Sequence, residues 1–263
     1  MSSTRRLAWP VVGSLAVLVL SPALELATGQ EVFSTLSVLF LLVILWPLTR
    51  LSRKEMGLRW GSGEAYLVAF GYPIAVAALL VGAALLAGQV AVTDPASKIG
   101  RRFLLVFIAT LIGALITEEG FFRGWLWGSL ERAGLRSWQV LMWTSTVFCL
   151  WHIHAAVMEP SFKLPAAMVP VYLANVLLLG LNWGLLRAAS GSVVVPTCSH
   201  GIWNAFAYVL FGYGTKSTAL GISAINLLDP ERGLAGLALN TLALVFLWRR
   251  WRKRMATRVV RPG

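Results

Sequence analysis

Residues 103–130 read FLLVFIATLIGALITEEGFFRGWLWGSL. The first fourteen are uncharged, and the stretch exceeds the ~20 residues that cross a bilayer core at about 1.5 Å of rise per residue. An apolar run of that length predicts a membrane helix. The run TEEGFFRG at 117–124 then interrupts it with Glu118, Glu119 and Arg123. An ionisable group at the centre of a span costs roughly 2.5 to 3.5 kcal/mol on insertion scales, so those that persist face a cavity or a partner. This segment therefore predicts a chain whose solvent is lipid and a polar site inside it.

Seven further apolar stretches flank it, at 7–27, 32–48, 65–87, 138–157, 170–186, 196–213 and 234–248. Pro170 and Pro196 open two of them, which suits a first helical turn. Composition agrees: 57% of residues are apolar and 13% charged, against about 25% charged in a soluble domain. Many of the 12 Trp stand near the ends of apolar runs, as membrane interfaces favour. The predicted fold is all-α and polytopic, about eight transmembrane helices enclosing an intramembrane active-site cavity. No internal repeat or low-complexity linker divides the chain, so 1–263 reads as a single integral membrane domain with a core motif region at 116–204.

Twenty-three Lys and Arg against eleven Asp and Glu leave a net charge of +12. In a soluble protein that surplus would point to nucleic acid; here the cations lie between spans and in the tail, so no nucleic-acid partner is expected. With both termini in the cytoplasm, the inner side receives Arg5, Arg6, Arg50, Arg53, Lys54, Arg59, Arg132, Arg136, Arg187 and the basic cytoplasmic tail 249–263. The outer side receives Lys98, Arg101, Arg102, Lys163, Lys216 and Arg232, with Arg101 and Arg102 the main dissent. A multi-pass protein of the cell membrane follows, its tail meeting anionic lipids. The first stretch is expected to be a retained span rather than a cleaved signal, because it runs past Pro22 without a small-residue cleavage site. Cys149 and Cys198 lie inside apolar runs and read as small buried thiols.

The ionisable residues inside the predicted spans are few: Glu25, Glu118, Glu119, Arg123, His152, His154 and His200. Glu119 and Arg123 are four apart and share a helix face, so they can pair and offset the cost of burying both. Glu118 points away from that pair and stays available. His152 and His154 are two apart, about 200° around a helix, so only one is expected to face Glu118, and His152 is assigned. His200 and Asn204 share a face and aim two donors at one point. Measured from the expected cytoplasmic ends at 1.5 Å per residue, Glu118 lies roughly 15 Å deep, His200 roughly 10 Å and His152 roughly 20 Å. Three helices thus deliver these groups to one layer, slightly towards the cytoplasm. Packing alone is the competing reading: Arg123 snorkelling to the interface, or the histidines and Asn204 bonding neighbouring helices.

Glu118-Glu119-Gly120-Phe121-Phe122-Arg123 matches EExxxR, Phe148-Cys149-Leu150-Trp151-His152 matches FxxxH, and His200-Gly201-Ile202-Trp203-Asn204 matches HxxxN. In this order, on successive hydrophobic helices, the motifs resemble the CPBP intramembrane glutamic endopeptidases, also called the CAAX protease and bacteriocin-processing or ABI family. The resemblance implies hydrolysis of a peptide bond in a membrane-anchored or lipidated protein. It makes Glu118 the base that activates water, His152 its helper, and His200 with Asn204 the oxyanion site. Glu119, Arg123 and Phe148 have supporting roles. No cofactor or metal is expected: a Glu with two His has zinc-ligand chemistry, but no HExxH occurs and Asn204 suits an oxyanion site better.

The expected partner is a membrane protein or peptide, lipidated or carrying a C-terminal anchor. Gly120 and the run Phe121, Phe122, Trp125, Trp127 are expected to shape its approach, with packing against lipid the alternative. Two other functions stay open on sequence: a catalytically idle scaffold or immunity protein, and a transporter using the Glu and His as a relay. Against the transporter, the chain shows no repeat symmetry or matching broken helices.

Overall fold

The computed structural model describes residues 3–158, 162, 164–212 and 218–259. Among these residues every regular element is helical. The long helices are α1 Ser3–Thr28, α2 Val32–Thr49, α3 Gly63–Leu86, α4 Ala96–Ile116, α6 Ser137–Trp151, α8 Val169–Ser190, α9 Val194–Phe206 and α11 Leu234–Val259. The shorter α5 Trp127–Arg132, α7 Ile153–Met158 and α10 Ile225–Leu228 continue or join them, with π-helical turns at Glu119–Leu126 and Ala207–Phe211. The ends follow local chemistry. Ser62 caps α3 by accepting from the Ala65 amide, Pro170 sits in the first turn of α8, and α8 stops at Gly191 in the left-handed region.

Among the described residues six helical segments are long and apolar enough to cross a membrane: Leu7–Thr28, Val32–Thr49, Gly63–Leu86, Ala96–Arg132, Ser137–Met158 and Ala166–Ser190. The other two expected spans are present as helices of a different character. α9 carries buried Thr197, Ser199, His200 and Asn204, and α11 runs on into the basic tail, so neither has the uniform apolar composition of the six. α9 packs against α3, α4 and α8, while α11 packs against α3 and α8.

Outward-facing apolar side chains make the outer surface. α4 shows this most, with Leu104, Leu105, Ile108, Ile112 and Ile116 exposed and Ala114 its buried residue. Inside, indoles stitch the helices together where lipid offers no hydrogen bond. Trp143 Nε1 donates to Ser14 Oγ at 3.1 Å, Trp151 Nε1 to Ser21 Oγ at 2.9 Å, and Trp125 Nε1 to Thr49 Oγ1 at 3.0 Å. α1 is thereby tied to α6, and α2 to the π-helical turn.

The two ends of the bundle differ in charge. At one end Arg132 binds Glu55 and the carbonyls of Thr49 and Arg50, Arg59 donates to the Gly191 carbonyl, and Arg250 and Arg254 reach Glu64. The Arg132 guanidinium holds the Glu55 carboxyl down at about 2. At the other end, the Ala91 and Thr93 amides donate to the Leu220 and Ala219 carbonyls, each at 3.0 Å. Here Arg102 lies 2.7 Å from Asp94, whose carboxyl is lowered first by Lys98, so one of the dissenting cations is locally neutralised. Lys163, Tyr213, Lys216 and residues 260–263 lie outside the described residues.

Candidate active site

The site begins with a broken helix. α4 stops at Ile116, and Thr117 takes φ −119° and ψ −97° before the chain resumes as the wider π-helical turn. Gly120 permits this: a Cβ there would stand 2.3 Å from the Leu115 carbonyl oxygen, a distance no side chain tolerates. Glu118 therefore sits at the junction instead of in a regular turn, and π-bulges of this kind recur at functional sites.

The expected ion pair forms despite the irregular backbone. Arg123 Nη1 lies 3.1 Å from Glu119 Oε1, with both side chains fully buried. The same carboxylate oxygen is 3.1 Å from His200 Nδ1, so Glu119 joins the broken helix to α9. Arg123 Nη2 also donates to the Gly180 carbonyl at 3.2 Å, and its guanidinium stands 4.2 Å from the centre of the Phe148 ring. Below His200 the Trp183 ring stacks at 4.0 Å with an interplanar angle of 18°. These contacts fix the imidazole in position and plane.

His152 ends α6. Its Nδ1 is 2.8 Å from the Phe148 carbonyl, which can only accept, so Nδ1 carries the hydrogen and the neutral ring presents a bare Nε2. Nε2 points at Glu118 Oε2 across 3.9 Å. Two acceptors at that separation cannot bond each other, but a water between them donates to both. Glu118 and His152 retain 19% and 17% side-chain exposure, whereas Glu119 has none, so the first pair is reachable and the second is not.

A cavity of about 620 Å³ opens over this gap. Glu118, Phe148, His152, His200 and Asn204 all line it, so the structure brings these five expected residues together. Glu119 and Arg123 lie behind its wall. The cavity extends to Glu31, Arg102 and Glu231, which belong to the end of the bundle opposite the basic one. Depth arithmetic places the reacting groups in one layer, and the structure adds that the space over them runs away from the tail.

His152 turns to Glu118, whereas His154 turns to Glu25, its Nε2 3.3 Å from Glu25 Oε2, although the helix is interrupted at His152 and His154 also borders the cavity. One expectation needs correction. Phe121, Phe122, Trp125 and Trp127 neither shape the cavity nor face lipid. They are 0–1% exposed and form the packing core behind the π-helical turn, with ring centroids 5.1 Å apart for Phe121 and Phe122 and 5.2 Å for Phe121 and Trp125.

Other residues of the site give no sequence signal. Trp183 is one more tryptophan in an apolar run, and Glu231 sits in a loop. Trp203 Nε1 donates to Glu231 Oε1 at 2.8 Å, and burial, helped by the Asp229 charge, pushes its carboxyl up to about 7. Among the described residues no three His, Cys, Asp or Glu side chains are gathered to hold a metal ion.

The arrangement provides a carboxylate and a bare imidazole nitrogen facing across a water-sized gap, beside a second imidazole and a carboxamide. No curated protein and no solved structure matches the chain. Residues 100–206, which include all three motifs, match the family model "Rce1-like: Type II CAAX prenyl endopeptidase Rce1-like", and this match supports the CPBP/CAAX protease family for the chain.

Proposed function

We propose that the cavity hydrolyses a peptide bond of a membrane-anchored or lipidated protein with water activated by Glu118. The observation that carries this reading is the 3.9 Å gap between Glu118 Oε2 and His152 Nε2, both lining one cavity. A water held there gives one proton to Glu118 while its other hydrogen bonds His152, and its oxygen attacks the scissile carbonyl carbon. The C–O bond forms as the carbonyl π pair moves onto oxygen. Asn204 and His200 stabilise that oxyanion, His200 being held in place by the contact of its Nδ1 with Glu119. Collapse of the intermediate breaks the C–N bond, and Glu118 returns its proton to the leaving amine.

Arg123 and Phe148 act through others. Arg123 holds Glu119 in register, and Phe148 supports the guanidinium on one side and His152 on the other, its ring centre 4.4 Å from the imidazole. The same reading takes 1–263 as one integral membrane domain, with both termini cytoplasmic and the tail 249–263 resting on anionic lipid head groups. Its support is the end of the bundle that collects Arg59, Arg132 and Arg187.

The test is a comparison of N- and C-terminal peptides in membranes from cells carrying wild type, Glu118→Gln or His200→Ala. New termini confined to wild type, at equal protein abundance, are expected. Identical termini in all three would remove hydrolysis and leave a scaffold role.

A further inference from the structure

The charge of the cavity wall is not used up by the proposed chemistry. Among the described residues its lining includes the carboxyl groups of Glu118 and Glu231, and only the first takes part in that chemistry. Glu231 is the carboxylate whose surroundings are most clearly built. Asp229, 2% exposed, accepts the amides of Glu231 and Arg232, each at 2.8 Å. It also takes the Arg232 guanidinium at 3.0 and 2.5 Å, and Arg232 donates onward to the Gly212 carbonyl at 2.9 Å. The neighbouring cation is therefore committed to Asp229. The Pro230 carbonyl is pinned by Asn240 Nδ2 at 3.1 Å, and Asn240 also reaches Asn175 Oδ1 at 2.8 Å, so the loop is anchored to α8 and α11.

On this rigid loop Glu231 turns inward. Trp203 Nε1 fixes Oε1 at 2.8 Å, while Oε2 has no hydrogen-bond partner among the described residues. A carboxyl aimed into a cavity by a built loop, with one oxygen fixed and the other open, is placed to accept a hydrogen bond from whatever enters the cavity. A bare apolar peptide would leave the Glu231 oxygen unsatisfied. A cationic nitrogen would satisfy it.

We propose that Glu231 is a specificity-determining residue of the proposed hydrolysis, its Oε2 receiving a basic Lys or Arg side chain of the substrate near the scissile bond. This rests on the reading of Glu118 as the base. Glu231 is not a catalytic residue in this proposal, since it touches a substrate side chain and not the reacting atoms.

The experiment maps new termini in membranes carrying wild type, Glu231→Gln, Glu231→Asp or Glu118→Gln, with protein abundance measured for each. Cut sites of wild type should be enriched in Lys or Arg at a fixed position close to the bond. Glu231→Gln should lower cleavage of those sites on the order of tenfold or more and spare sites without a basic residue, and Glu231→Asp should restore part of the loss. A Lys→Glu change in one cleaved protein, assayed with the wild-type enzyme, repeats the test where Glu231→Gln protein does not accumulate; that change should abolish its cleavage. No basic enrichment in wild type, or an equal loss at all sites in Glu231→Gln, overturns the proposal while Glu118→Gln still removes every cut. Cuts that survive Glu118→Gln instead overturn the hydrolytic reading and this inference with it.

Discussion

Two Glu–His pairs stand on either side of the break in α6, and they are built for opposite ends. Glu118 and His152 face each other across 3.9 Å with nearly a fifth of each side chain open to the cavity. Glu25 and His154 meet at 3.3 Å with 7% and 8% exposed. In the second pair His154 Nδ1 is turned to the Trp151 carbonyl and Nε2 to the Glu25 carboxyl, too close for a water to fit between them. The same two residue types give a pocket for water in one place and a closed tie between α1 and α7 in the other. Separation and access, not residue identity, distinguish a site from a clasp.

The sharpest way to break this comparison is to remove the charge from each carboxylate in turn. Glu118→Gln should cost about 10²- to 10⁴-fold in turnover, the range of a positioned general base, with little change in thermal stability. Glu25→Gln should cost no more than about tenfold in turnover, because a clasp affects the chemistry only through His152. Turnover of membranes normalised to protein content decides it. Equal losses in both variants would mean that the closed pair takes part in the reaction.

The ion pair behind the cavity wall sets the next largest effect. Arg123→Ala leaves Glu119 charged, buried and held by His200 alone, and removal of one partner of a buried pair costs about 3 to 5 kcal/mol. A melting temperature in detergent should fall accordingly, and activity with it. Arg123→Lys should recover only part, since a single ammonium cannot reach both Glu119 and the Gly180 carbonyl as the guanidinium fork does. Unchanged melting in Arg123→Ala would show that water enters behind Glu119.

The pair Glu119–Arg123 was legible from its spacing because an i, i+4 contact survives a local change from α to π geometry. The break of α6 at His152 was not, because no proline or glycine within 138–157 marks it. Hydrophobic length gave the long helices α1 to α3 within about four residues, but α4 begins seven residues before the expected 103 and stops at Ile116. It could not show that Trp125 and Trp127 lie in the packed core, because an aromatic in an apolar run reads alike whether it faces lipid or protein. Glu231 lies 27 positions beyond Asn204 in a loop with no periodicity, so only the fold brings it to the cavity.

A smaller effect sharpens the comparison within the closed pair. His154→Gln keeps a polar group near Glu25, and His154→Ala removes it. The Ala variant should lose about 1 to 3 kcal/mol, the cost of an unsatisfied buried group, and the Gln variant less. Measured against Glu25→Gln and the double variant, the losses should be far from additive, because one contact is being removed twice. Additive losses would mean that His154 owes its stability to the Trp151 carbonyl instead.

The smallest expected effect lies at the charged end of the bundle, where Glu55 and Arg132 meet at 2.6 Å with about a third of each side chain exposed. Arg132 lowers the folded carboxyl from 4.5 to about 2, so the unfolded chain takes up the proton first as pH falls. The stabilisation is therefore complete above about pH 4.5 and fades as pH drops towards 2. Exposure screens the pair, which limits it to no more than about 1 kcal/mol. The melting temperature of wild type should exceed that of Glu55→Gln slightly at pH 6, and the two should converge as pH approaches 2. A gap that persisted at low pH would assign Glu55 a packing role, and a gap much larger than that of the His154 variants would place the tie between helices at this exposed end instead of at the buried clasp.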